Sequence, residues 1–134
     1  MNAEAADSNP EVTATAEGTA GVTPWRDLCS VADLTPGAGV AALVDGEQIA
    51  LFFLPEEQPP VYAIGNYDPI GDAHVLSRGV VGDIKAQLVV ASPLYKQHFR
   101  LSDGQCLEQD DVRVPSYPVR IQGDRVEIQM PTAP

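Results

Sequence analysis

Two cysteines, Cys29 and Cys106, and two histidines, His74 and His98, are the strongest soft-metal ligands in the sequence. Two thiolates and two imidazoles are also the ligand set of one type of [2Fe–2S] centre. In such a centre two adjacent loops each supply a Cys and a His with one or two residues between them. None of these four residues has a partner at that spacing, so the sequence favours two thiols acting as small hydrophobes. Asp68 and Asp72 are a weak hard-cation signal, because calcium gathers about 6–8 oxygens and no repeated acid pattern surrounds them. Asp68 stands before Pro69, and a carboxylate there is expected to shape a turn through its side chain. Ser92, with His98 and an aspartate, has the residue types of a hydrolytic triad but no nucleophile elbow around the serine, and no catalytic residue is predicted. Tyr95, Lys96, His98 and Arg100 form a local aromatic and basic cluster. Aromatics and arginine are favoured in interface cores, which makes these four a candidate docking face for a partner protein.

The elements that must position these residues read as short strands. Trp25–Cys29 is a first strand. Gly39–Val44 and Gln48–Leu54 are apolar runs around Asp45-Gly46-Glu47, and Asp-Gly between such runs predicts a hairpin. Val61–Asn66 and Gln87–Ala91 read as further strands. Val119–Gln122, Gly123-Asp124 and Arg125–Gln129 alternate apolar and polar on both sides of a glycine turn, which predicts a hairpin with one wet face. The one helical signal is a short stretch at Asp72–Leu76. Twelve prolines and eleven glycines punctuate the chain at the spacing of an all-β sandwich or small barrel.

At 134 residues the chain fits one domain with a real apolar core. Residues 1–22 contain four acids, no base and no aromatic side chain, and are expected to form a disordered acidic tail. The folded domain is placed at residues 23–131. Lys and Arg total 8 against 19 Asp and Glu, a formal charge of −11, which argues against nucleic acid and anionic membrane surfaces as partners. There is no apolar stretch of about 20 residues and no basic-then-apolar leader. With two widely separated cysteines, the cytoplasm is the expected location.

Two segments are more than simple turns: Asn66-Tyr67-Asp68-Pro69-Ile70-Gly71, running on to Leu76-Ser77-Arg78-Gly79, and Ser92-Pro93-Leu94-Tyr95-Lys96-Gln97-His98-Phe99-Arg100-Leu101-Ser102-Asp103-Gly104. Each follows a strand and carries a proline in the same relative place. They resemble the two cluster-binding loops of Rieske proteins, Cys-Pro-His and Cys-Pro-x-His. Asn66, Pro69, Gly71, Leu76 and Gly79 fall where that pattern expects them in the first loop, as do Pro93, Phe99, Leu101 and Gly104 in the second. Tyr117-Pro118-Val119-Arg120 is similar to the closing strand, so the resemblance runs from Trp25 to about Gln129. The four ligand positions instead hold Asp68 and Ser92 for the cysteines, Ile70 and Tyr95 for the histidines.

A Rieske-like frame without its ligands resembles the small subunit of assimilatory NAD(P)H-dependent nitrite reductases. Trp25-Arg26-Asp27-Leu28-Cys29, Asp33-Leu34-Thr35-Pro36-Gly37, Gly39–Val44 and Gln48–Phe53 carry that narrower match. The resemblance implies an all-β, Rieske-like sandwich of small antiparallel sheets with two protruding loops. It also implies a large catalytic subunit bearing FAD, an iron–sulfur cluster and sirohaem, and a small subunit with no cofactor and no catalytic residue of its own. Two alternatives stand beside it: an electron carrier holding an atypical cluster through Cys29, Cys106 and the histidines, and a free-standing Rieske-like interaction module. Without a metal cross-link, the loops are expected to rest on the sheets through Pro69, Ile70, Pro93, Leu94 and Phe99.

Overall fold

The computed structural model describes residues 24–131, and the expected acidic tail at 1–22 lies outside the described residues. Twelve strands follow in order: β1 Arg26–Ser30, β2 Ala38–Val44, β3 Glu47–Phe53, β4 Val61–Gly65, β5 Tyr67–Asp68, β6 Ala73–His74, β7 Val80–Ile84, β8 Gln87–Ala91, β9 His98–Arg100, β10 Ser116–Tyr117, β11 Val119–Gln122 and β12 Arg125–Ile128. All strand pairs are antiparallel. They form a four-stranded sheet ordered β10-β4-β3-β2, two three-stranded sheets ordered β1-β12-β11 and β7-β8-β9, and a small β5-β6 ribbon.

The two glycine-turn hairpins form as expected. Asp45 and Gly46 connect β2 to β3, both at positive φ, a turn whose twist matches the flanking strands. Gly123, at φ 62°, turns β11 into β12. The expected helical stretch at Asp72–Leu76 is not one. Asp72 takes a positive φ, Ala73 and His74 pair with the first loop, and a single 3₁₀ turn follows at Leu76–Arg78. The loop must fold back along itself here, and ribbon pairing meets that need where a helix would not.

β3 explains the layering. Its apolar run Ile49-Ala50-Leu51-Phe52 is fully buried, the signature of a strand covered on both faces. Ile49 and Leu51 join Val61, Ala63, Val126 and Ile128 in one cluster. Ala50 and Phe52 join Ile64, Leu76, Val90, Phe99, Leu101 and Val114 in the other. The four-stranded sheet is therefore the middle layer, with the β1-β12-β11 sheet on one side and the β7-β8-β9 sheet with its loops on the other. Bidentate Arg125–Asp27 contacts at 2.7 Å tie β12 to β1, Arg26 pairs with Asp45, and the Arg120 guanidinium lies 4.2 Å from the centroid of the Trp25 ring. Among the described residues no helix is long and apolar enough to cross a membrane.

Candidate functional site

Asn66 anchors the first loop at the end of β4. Its backbone N–H donates to the Gln48 carbonyl at 3.0 Å, its amide nitrogen donates to Gln48 Oε1 at 3.2 Å, and its Oδ1 accepts from Ser77 N–H at 2.7 Å. The loop root is thus pinned to β3 by the buried Asn66. Asp68 then shapes the tip as its place before Pro69 suggested: Oδ1 accepts from Ile70 N–H at 2.9 Å and from Gly71 N–H at 3.0 Å. The second loop closes on Ser92, whose N–H donates to the Gln97 carbonyl at 2.9 Å and whose carbonyl accepts from Lys96 N–H at 3.1 Å. Ser92 Oγ accepts weakly from Leu94 N–H at 3.3 Å.

The two loops meet through these same residues. Ser92 Oγ donates to Asp68 Oδ2 at 2.5 Å, with Asp68 0% and Ser92 1% exposed. A carboxylate this deep is tolerable only because every acceptor direction used finds a donor. Gly71 lets the loops touch: a Cβ there would stand 2.5 Å from Leu94 Cδ1 and 3.0 Å from Asp68 Oδ2.

Ile70 is half-buried and packs against the cluster containing Phe99. Pro69, Pro93 and Leu94 are exposed, contrary to the expectation that they seat the loops on the sheets. That work falls to Phe99, Ile70 and the buried Asp68–Ser92 bond. Tyr95 is 66% exposed, and Lys96 beside it is exposed at a positive φ of 64°.

His98 and Arg100, grouped with them by sequence, are engaged lower down. The His98 backbone and ring nitrogen contact the Glu108 carboxylate at 2.8 and 2.6 Å. Burial pushes the Glu108 carboxyl up, but these contacts more than offset it and hold the group below its ordinary value. Arg100 grips Asp103 through two bonds of 2.8 and 2.7 Å, which keeps that carboxyl below the usual range. Both residues brace the base of the loop, and the tip presents Leu94, Tyr95 and Lys96.

The remaining candidates do not converge. Cys29 packs against the cluster on one side of the middle sheet and Cys106 is buried in the cluster on the other. The His74 ring is tilted against Tyr67 with 5.1 Å between centroids, and His98 holds Glu108. No group of three or more His, Cys, Asp or Glu among the described residues is placed to hold a metal ion. Ser92 meets Asp68 while His98 is bound elsewhere, so no triad forms. At the positions the Rieske resemblance assigns to ligands stand a carboxylate and a hydroxyl bonded to each other, a half-buried isoleucine and an outward phenol. A [2Fe–2S] centre of this kind needs two thiolates on one iron and two imidazoles on the other, and these residues do not fit it.

A middle sheet flanked by two small sheets, with paired loops at one end, defines a Rieske-like domain, and the family profile described as "Rieske-like [2Fe-2S] domain" matches residues 24–129. The nitrite reductase (NADH) small subunit of Salmonella typhimurium is 45% identical over 105 residues, covering 78% of this chain and 96% of the relative. The solution NMR structure of the nitrite reductase [NAD(P)H] small subunit from Erwinia carotovora is 45% identical, covers 82% of this chain and 84% of that one, and superposes with a TM-score of 0.67. The nitrite reductase [NAD(P)H] large subunit of Klebsiella oxytoca is 38% identical over 103 residues, 77% of this chain but 10% of that much longer protein. This chain belongs to the nitrite reductase small-subunit family of Rieske-like domains.

Proposed function

We propose that this chain is the non-catalytic, cluster-free small subunit of a cytoplasmic NAD(P)H-dependent nitrite reductase, which reduces nitrite to ammonium in nitrate assimilation. Its partner is the large catalytic subunit, on which FAD, an iron–sulfur cluster and sirohaem reside. The Asp68–Ser92 hydrogen bond carries this reading, because it joins the two loops through the residues that stand at the cysteine positions. The Klebsiella relative supports the partner: a domain like this one occupies part of a nitrite reductase large subunit, so in that protein the two are one polypeptide.

The tip of the second loop is the docking surface this reading favours. Tyr95 and Lys96 are exposed there, while Arg100 and His98 are committed to Asp103 and Glu108. Tyr95→Asp combined with Lys96→Glu is expected to weaken capture of the large subunit about tenfold or more without shifting the melting transition. Iron and sulfide analysis of the anaerobically purified chain, with its visible spectrum, tests the cluster-free part. A colourless protein with negligible iron is expected, and stoichiometric iron with a charge-transfer band would overturn the reading.

A further inference from the structure

A groove of about 530 Å³ crosses the end of the middle sheet, beside the loops but apart from the Tyr95 tip. Gln48 lines it, with Leu43 paired opposite across β2 and β3. Tyr67 and Pro69 of the first loop, Arg113 and Tyr117 line it as well. Leu43 is 71% exposed on an edge strand. A lone surface leucine means little, but here it shares one concave lining with the exposed Tyr67 and Pro69.

The groove also carries charged side chains, and its Arg113 acts on the Asp103 carboxylate only at longer range. Arg26, Arg100, Arg120 and Arg125 each hold a carboxylate. Arg113 makes no ion pair with a carboxylate among the described residues, although the chain carries a net charge of −11; its Nε donates to Gln105 Oε1 at 3.3 Å. Glu47 lines the groove as well and is near enough to Tyr117 to act on its phenol, which burial and then that carboxylate push above its ordinary value. The lining therefore combines exposed apolar side chains with one cation and one anion.

We propose that this groove receives an extended segment of the large subunit, with an apolar side chain seated against Leu43, Tyr67 and Pro69, a neighbouring carboxylate on Arg113 and a neighbouring base on Glu47. The inference rests on the functional reading above and adds a second contact to the Tyr95 tip. A second copy of this chain is the weaker occupant, because two bodies of −11 repel.

The test uses the full chain and its purified large subunit, with Leu43→Asp and Arg113→Glu as separate variants at exposed positions. Each is expected to raise the dissociation constant about tenfold while the melting temperature stays within about a degree. Arg113→Gln is expected to reduce the salt dependence of binding. If both groove variants bind like wild type while the Tyr95→Asp, Lys96→Glu double variant does not, the groove proposal fails and the functional reading survives. If the wild-type chain does not bind the large subunit at all, the functional reading fails and takes the proposal with it. Sedimentation showing a wild-type dimer that Leu43→Asp dissolves, with large-subunit binding unchanged, assigns the groove to self-association and overturns the proposal.

Discussion

Ser92 donates its hydroxyl proton to Asp68 across 24 positions of sequence, and both side chains are removed from water. Removing either partner leaves a polar group stranded where no solvent reaches. Asp68→Ala, which frees the Ile70 and Gly71 N–H groups and the Ser92 hydroxyl, is expected to destabilise by about 2–4 kcal/mol. Ser92→Ala is expected to destabilise by about 1–3 kcal/mol. In a urea double-mutant cycle the two should couple by at least about 1 kcal/mol. Strict additivity would mean that the bond does not join the loops energetically.

Gly104 turns the chain after the second loop at φ 78°, and a Cβ there would come within 2.0 Å of the Val114 carbonyl oxygen. Backbone cannot retreat as a flexible side chain does. Gly104→Ala is expected to lose about 3 kcal/mol or more, combining the positive φ with the clash. A thermal melt within two or three degrees of wild type would contradict the close approach.

Ile70 lies at one of the two positions assigned to histidine by resemblance, and it is half-buried against the Phe99 cluster. Truncation there removes part of a side chain's burial and opens little cavity, since the site borders solvent. Ile70→Ala is expected to destabilise by about 1–2 kcal/mol, at the low end for a core isoleucine. Chemical denaturation measures this directly, and a loss above about 4 kcal/mol would place the side chain deeper than it stands.

Bidentate hydrogen bonds from Arg125 to Asp27 and from Arg100 to Asp103 hold both carboxyls below the ordinary carboxylate range. A folded-state pKa below the unfolded value of about 4 contributes stability that is present above that pH and vanishes as pH falls through the lower, folded value. The melting temperature is therefore expected to change little from pH 7 to about 5 on account of these groups, and to drop below about pH 4. Both pairs are substantially exposed, so Asp27→Asn should soften the acid limb only modestly, and less at high salt. An acid limb unchanged by that substitution would show that the Arg125 contact contributes nothing measurable.

The hairpins at Asp45-Gly46 and Gly123-Asp124 were legible because glycine supplied the conformation the turn demands. The β7–β8 hairpin was half-missed for the opposite reason: Lys85 and Ala86 make its turn, both at positive φ, with no glycine or asparagine to advertise it. Its first strand, Val80–Ile84, is interrupted by Gly82 and Asp83 and is mostly exposed, so no apolar alternation marks it. At the loops, the turn made by Asp68 could be read from the proline that follows it. Its bond to Ser92 could not, because it depends on how β4 and β8 set two distant loops side by side. His98 and Arg100 looked available for docking for the same reason: the Glu108 partner reaches its place only through the fold, via the bridge from Phe99 to Cys106.

Since alternate residues of β3 feed opposite clusters, the molecule has a party wall and no two separable halves. Opening one side strips the wall from the other, so the loop end and the β1-β12-β11 sheet are expected to rise and fall as one cooperative unit. Amide protons along Ile49–Phe52 are then expected to exchange only through complete unfolding, which hydrogen-exchange rates at rising denaturant would check. A protein that clasps the loop end thereby slows the unravelling of strands it never touches.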